Sequence, residues 1–246
     1  MKIFWFQTSK ILEGIGKRSK DLENHGFDGM MLTYHVFAGD HFTKIARDID
    51  TESKFHYIVA MRPYVVSAQY LSMICNSIND ISPNRLSINF LTGFIKEKEK
   101  GIGGILAPIT DASSTVDRSK YMLEYAEVFR SLQLPTPEFY VSTSNEEVFK
   151  VCEEKEFPMI IQYLLYKQNK FDFSNKKYIV SICPTVRDSD EPFTNRTEDY
   201  ELFNKDSFFS FLNQCEKQGV YGVLISEDMP NSEYDRLIKL IKEYRV

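Results

Sequence analysis

The sequence predicts an α/β chain folded as one (β/α)8 barrel over residues 1–246. Three observations point there. Short runs rich in apolar, β-branched or aromatic residues alternate with amphipathic stretches that begin on capping residues, the pattern of parallel strands joined by helical crossovers. Eight such runs occur. The length of 246 residues matches eight β/α units, and no repeat, low-complexity linker or composition break divides it.

The first run is Ile3 to Gln7 and the second is Asp28 to Tyr34, which follows a helix closed by His25 and Gly26. The third, Phe55 to Arg62, is turned by Pro63. Ser67 then caps a helix whose apolar positions Leu71, Ile74, Cys75, Ile78 and Ile81 follow helical spacing and stop at Ser82-Pro83-Asn84. Arg85 to Leu91 and Pro137 to Ser142 are the fourth and fifth. Ser144 and Glu147 have the spacing of a capping box ahead of Val148, Val151 and Cys152. The sixth and seventh runs are Pro158 to Leu164 and Lys177 to Ile182. Only Leu165 to Lys176 separates them, with no helical stripe, so a loop or one short turn is expected and the barrel is predicted to be irregular around strands six and seven. Val220 to Ser226 is the eighth. Helices at about Asp206 to Gln218 and Ser232 to Tyr244 flank it, with Gly219 suited to the intervening stop. The longest loops, Gly93 to Thr115 and Pro184 to Lys205, follow strand C-terminal ends, the face on which barrels build their sites.

Composition narrows the function. Thirty basic and 35 acidic residues leave a net charge of −5 with no basic stretch, which argues against nucleic acid as a partner. The start, Met1 to Gln7, has neither the longer apolar run nor the small-residue cleavage site of a signal peptide, and no window reaches the ~18 apolar residues of a membrane span. A cytoplasmic location is expected. Cys75, Cys152, Cys183 and Cys215 show no CxxC or Cys/His spacing, so neither a zinc site nor a disulfide framework is indicated, and no metal constellation emerges.

Position relative to the strand ends selects candidate catalytic residues. His35 follows strand two, at the face where an imidazole serves as acid, base or ligand; the alternative is a surface loop histidine. Arg62 ends strand three, placed either to hold an anion or to pair with Asp28 or Asp40. Cys183 ends strand seven as a nucleophile or a small buried hydrophobe. Tyr163 either donates to a ligand or packs, and Glu227-Asp228 form a general-base pair of carboxylates or a solvated turn. His25, His41 and His56 read as structural. Gly101-Ile102-Gly103-Gly104 lacks the Lys-Ser that makes a phosphate loop specific.

Four stretches carry a family resemblance. Phe4-Trp5-Phe6 opens the chain. Val59-Ala60-Met61-Arg62-Pro63 is followed, after one helix, by Ser82-Pro83-Asn84-Arg85 and Asn89-Phe90-Leu91-Thr92-Gly93. Weaker likenesses run from Phe139 through Ser144 and from Gly219 to Ser226. Together they resemble the bacterial luciferase-like flavin monooxygenases, most closely the alkanesulfonate monooxygenase branch, with Val-Ala-Leu-Arg-Pro and Asn-x-Val-Thr-Gly in the same order and spacing. The resemblance implies a luciferase-like barrel that binds reduced FMN, activates O2, receives its flavin from a separate flavin reductase, oxidises a small-molecule substrate and pairs as a homodimer. It assigns Asn89, Thr92 and Gly93 to the flavin face, and Ser142, Thr143 and Ser144 to a phosphate turn, where a helix N-terminus also favours an anion on physical grounds. The chain departs from the family in places. Val141-Ser142 replaces Gly-Gly, Ser119 replaces a tyrosine, Ser181 and Cys183 stand where the branch has Arg-x-His, and Ala38 stands for its cysteine. A second expectation follows: a degenerate barrel without flavin chemistry, serving as a ligand-binding protein or as the non-catalytic partner of a luciferase-like paralogue.

Overall fold

The computed structural model describes residues 1–7, 14–33, 40–92, 115–132, 137–143, 145–168, 171–173, 176–187, 201–226 and 231–246. Eight parallel strands close into a barrel: β1 (Lys2–Gln7), β2 (Gly29–Leu32), β3 (His56–Met61), β4 (Leu86–Phe90), β5 (Glu138–Thr143), β6 (Met159–Gln162), β7 (Ile179–Ile182) and β10 (Gly222–Ser226). They neighbour one another in chain order, and the seam closes where Lys2 to Phe6 pair with Gly222 to Ser226. All eight expected runs contain a strand, trimmed by one or two residues at most ends. The helices are α1 (Ile15–Asn24), α2 (His41–Asp48), α3 (Ala68–Ile81), α4 (Thr115–Ser131), α5 (Glu146–Glu154), α6 (Tyr163–Gln168), α7 (Lys205–Lys217) and α8 (Asn231–Tyr244). Ser67 caps α3 as expected, its hydroxyl accepting from the Tyr70 amide at 3.2 Å.

Three local readings change. The cap of α5 is Asn145 rather than Ser144: its side-chain oxygen accepts from the Glu147 and Val148 amides at 2.8 and 3.4 Å. The expected loop from Pro184 contains two further strands, β8 (Pro184–Arg187) and β9 (Glu201–Asn204), paired in parallel apart from the barrel. Between β6 and β7 the crossover is the six-residue α6, so Tyr163 and Leu164 turn into a helix instead of extending the strand. The barrel narrows its helical cover there, and Phe171, Phe173, Tyr166 and Tyr178 fill the place of a longer helix with ring contacts 5.6 to 6.5 Å apart.

Alternation along each strand sorts the core into two bodies. Ile3, Trp5, Met30, Val59, Ile88, Val141, Ile161, Val180 and Val223 face outward under the helices. Phe4, Met31, Ile58, Ala60, Tyr140, Ile160, Ile179 and Leu224 pack on one another inside the barrel, which is therefore filled rather than hollow. Strand β4 alone gives this interior no apolar side chain of its own and contributes Ser87 and Asn89.

Polar contacts plug the end of the interior at the strand N-termini. His56 Nε2 lies 2.8 Å from Ser87 Oγ, the Tyr140 hydroxyl donates to Glu138 at 3.0 Å, and Lys177 Nζ donates to the same carboxylate at 2.6 Å. Gly29 lies so close to the neighbouring strand that a Cβ would stand 2.2 Å from the His56 carbonyl oxygen, so this position admits only glycine. Gly219 takes φ +78° and ends α7 ahead of β10. Arg85, at the head of β4, is buried; it donates to the carbonyls of Phe55 (2.9 Å) and Asp50 and to Ser82 Oγ (2.8 Å), tying the ends of three elements together.

Candidate functional site

Because all eight strands run the same way, the residue two positions beyond the last interior apolar side chain stands at the C-terminal mouth. From Ala60, Tyr140, Ile160, Ile179 and Leu224 this rule reaches Arg62, Ser142, Gln162, Ser181 and Ser226. Asn89 joins them from β4, and Phe6 and Leu91 pack against the interior cluster beneath. These mouth positions hold one cation, several small neutral polar groups and no carboxylate.

Arg62 is buried, and the turn Pro63–Val65 fixes the chain as it leaves β3, with the Val65 amide donating to the Arg62 carbonyl at 3.1 Å. The acids considered as its partners are engaged elsewhere. Asp28 pairs with Arg245 and accepts from the Ile3 amide at 2.7 Å, and Asp40 caps α2 through the Phe42 and Thr43 amides. Asn89 is 1% exposed; its Oδ1 accepts from Ser142 Oγ at 2.8 Å and its Nδ2 lies 3.3 Å from Met31 Sδ. Arg62, Asn89 and Ser142 thus come from adjacent strands β3, β4 and β5.

The other expected site residues fall around this wall. Thr92 is half-buried just past β4. Thr143 is turned into its own corner, where its hydroxyl accepts from the Asn145 amide at 2.9 Å. Cys183 follows β7, four strands from β3 in either direction and therefore across the mouth from Arg62; it is half-buried, whereas Cys75, Cys152 and Cys215 are buried and their thiols are pushed up to about 12 by desolvation. His35, Gly93 and Ser144 lie outside the described residues, as do Ala38, Gly101 to Gly104, Glu227 and Asp228. Tyr163 packs: its ring is 5.1 Å from Phe211 and 6.0 Å from Tyr166, with Lys167 Nζ 4.8 Å above it.

The remaining histidines serve the frame. His41 Nε2 lies 2.6 Å from the Thr33 carbonyl at the end of β2, and His25 Nδ1 lies 2.7 Å from the Asp21 carbonyl. The N-terminus of α5, considered for a phosphate, spends two amides on Asn145 and carries Glu146 and Glu147 in its first turn. Among the described residues no group of three or more His, Cys, Asp or Glu is placed to hold a metal ion. A shallow concavity of about 420 Å3 lies on the outer flank of α7, lined by Asp206, Phe209, Asn213 and Lys217 among others, away from the strand ends. Gln162 and Ser226 carry no catalytic or binding motif in the sequence, and Ser181 is marked there only as a departure from a family pattern. The period-two rule finds all three once the strand ends are known.

Solved structures share this architecture across the whole chain. EDTA monooxygenase (EmoA) from Chelativorans sp. BNC1 superposes with a TM-score of 0.66 at 10% identity, covering 100% of this chain and 93% of its own. The oxygenating constituent of 3,6-diketocamphane monooxygenase from Pseudomonas putida, in complex with FMN, gives 0.65 at 11% identity, covering 99% and 97%. The coenzyme F420-dependent tetrahydromethanopterin reductase from Methanopyrus kandleri gives 0.65 at 12%, also covering 99% and 97%. The fold is that of the luciferase-like barrels. No family model matches the sequence, and no curated protein matches it. At 10–12% identity these likenesses establish the barrel alone, because one barrel supports many chemistries. No helix among the described residues is long and apolar enough to cross a membrane.

Proposed function

We propose that this chain is a flavin-dependent monooxygenase that binds reduced FMN at the barrel mouth, uses O2 and oxidises a small organic substrate, with the flavin delivered by a separate reductase in the cytoplasm. The observation that carries this reading is the mouth itself: a buried arginine beside a neutral polar wall from β3, β4 and β5, on a barrel like those of monooxygenases. Such a wall fits a flat heterocycle with hydrogen-bonding edges, and Arg62 supplies the positive charge that suits an electron-rich, anionic ring. Arg62, Asn89 and Ser142 would hold the ring. Thr92 and Thr143 flank it, and Gly93 and Ser144 belong to the same proposed binding set. Bound reduced flavin supplies the two electrons that activate O2; the protein positions it and keeps water out. His35 and Cys183 are the groups proposed to act on the substrate.

The test is a titration with FMN and, anaerobically, with reduced FMN, followed by flavin absorbance and fluorescence. Micromolar binding of the reduced form, weakened about tenfold or more by Arg62→Met or Asn89→Ala, supports the reading. Wild-type protein that leaves the flavin spectrum unperturbed at saturating concentration refutes it.

One observation favours a second reading, a barrel that has lost flavin chemistry and works as a ligand-binding or partner subunit. The α5 amides that would meet a phosphate are taken by Asn145, and two glutamates in the first turn repel an anion. Co-purification with a luciferase-like paralogue, together with silence in the flavin titration, supports this alternative.

For self-association we propose a homodimer through α3. This 14-residue helix carries a single charged side chain, Asp80, and exposes Tyr70 (57%), Met73 (59%) and Ile81 (45%). A two-fold axis sets a surface against itself, so a neutral apolar face is the one a chain of charge −5 can pair without self-repulsion.

A further inference from the structure

The two walls of the mouth differ in how their polar groups are satisfied. On the β4–β5 side, Asn89 and Ser142 bond to each other. On the opposite side, among the described residues, the side chains of Gln162, Ser181 and Ser226 make no hydrogen bond. Ser226 is only 8% exposed, and its side chain makes no hydrogen bond among the described residues. Gln162 and Ser181 are register partners on neighbouring strands, about 4.8 Å apart along the hydrogen-bonding direction. Ser181 pairs with Leu224, which places Ser226 one layer above it on the adjoining strand β10. Three uncharged groups from three adjacent strands therefore converge on one patch, and none of their side chains is hydrogen-bonded to the described barrel frame.

The geometry points to this patch as the reader of the substrate's polar group, and to a substrate that is uncharged and presents a carbonyl: a ketone, lactam or amide. The inference rests on the proposed monooxygenase only in calling the ligand its substrate. A carbonyl oxygen accepts two hydrogen bonds, and the Gln162 amide with a neighbouring serine hydroxyl supplies two donors at adjacent positions. The Gln162 amide oxygen remains to accept from an amide N–H. None of these three strand ends carries a cation at its mouth position, so a sulfonate or carboxylate placed here would lose its hydration without gaining a counter-charge. A ligand that occupies the patch and brings no acceptor leaves these donors unpaired and is rejected on that ground.

Saturation-transfer NMR on the flavin-free protein tests this with two probes of equal chain length, hexanamide and hexane-1-sulfonate. Hexanamide is expected to receive saturation, with its dissociation constant raised about five- to tenfold by Gln162→Leu and about threefold or more by Ser226→Ala, the losses that follow from removing one neutral hydrogen bond each. The sulfonate is expected to show no transfer at the same concentration. Gln162 is exposed and Ser226→Ala removes a single oxygen, so both variants keep the barrel, which circular dichroism verifies. Binding of the sulfonate as tight as that of hexanamide, hexanamide binding indifferent to both substitutions, or transfer to neither probe overturns the inference. FMN titration of the same samples reports separately on the flavin reading, so the two fail independently.

Discussion

Acidification acts on His56. Its ring sits at the closed end of the barrel against Ser87 Oγ, with the Phe4 ring edge-on at 6.3 Å, and its pKa is lowered from 6.5 to about 4, first by desolvation and then by the positive charge of Lys2, with the Asn84 backbone opposing and Arg85 and Lys177 adding smaller contributions. The folded state therefore binds fewer protons than the unfolded state between pH 6.5 and pH 4. Stability is fully present above pH 6.5, falls as the pH drops through this window, and levels off below about pH 4. From those two values, the contribution lost at pH 5 is about 2 kcal/mol, which lowers the melting temperature by roughly 4–8 °C for a chain of this size. The assay is urea denaturation at pH 7.5, 6, 5 and 4.5 for wild type and His56→Gln, the latter retaining an amide near Ser87 but nothing to protonate. Wild type should lose about 2 kcal/mol between pH 7.5 and pH 5, and the variant's profile should be flatter by that amount. Parallel profiles would refute the assignment.

Four further expectations follow from the same geometry. Arg85→Met removes three donated bonds and leaves buried carbonyls unsatisfied, so unfolding free energy should drop by about 3–5 kcal/mol; a loss under 1 kcal/mol in urea would contradict the role drawn for it. Asn145→Ala should cost about 1 kcal/mol through the lost cap, read in the same experiment, and a neutral result would mean that the cap is redundant. A thiol-specific reagent should label the native chain at Cys183 alone, with Cys75, Cys152 and Cys215 reacting only in denaturant; fast labelling of a second thiol would contradict their burial. Met73→Glu should shift the light-scattering mass from dimer to monomer, and a wild-type chain that is monomeric at micromolar concentration would remove the α3 interface altogether.

Barrel strands are legible because they are buried on both faces and so read as unbroken apolar runs, such as Tyr57 to Met61 or Val223 to Ile225. The weak sixth crossover was legible for the opposite reason: Leu165 to Lys176 has no stripe that a long helix needs. What stayed hidden depends on single atoms or distant pairings. Ser144 and Asn145 are both good caps, and only the path of the chain decides whose oxygen meets the Glu147 amide. Strands β8 and β9 are four residues each, and their pairing spans a gap in sequence that no local pattern announces. At the mouth, Arg62 and Asn89 stood out through motif likeness and strand position, whereas Gln162 and Ser226 are ordinary residue types whose meaning lies in counting two from an interior apolar residue. The bond between Ser142 and Asn89 joins residues 53 positions apart and belongs to the tertiary structure alone.

The short α6 has a consequence for how the barrel breathes. Elsewhere the outward face of each strand is clasped by a helix of at least eight residues, but beside β6 and β7 a one-and-a-half-turn helix and a patch of aromatic rings do that work. Rings packed at tilted and edge-on angles fill area but, unlike a full-length helix, bring few hydrogen-bonded backbone turns of their own, so this seam should open at lower free energy than the rest. Amide protons of Ile160, Ile161 and Val180 should then exchange with deuterium ahead of those of Ile58, Val59 and Ile88, and the barrel should part between its sixth and seventh strands, beside the wall that carries Gln162 and Ser181.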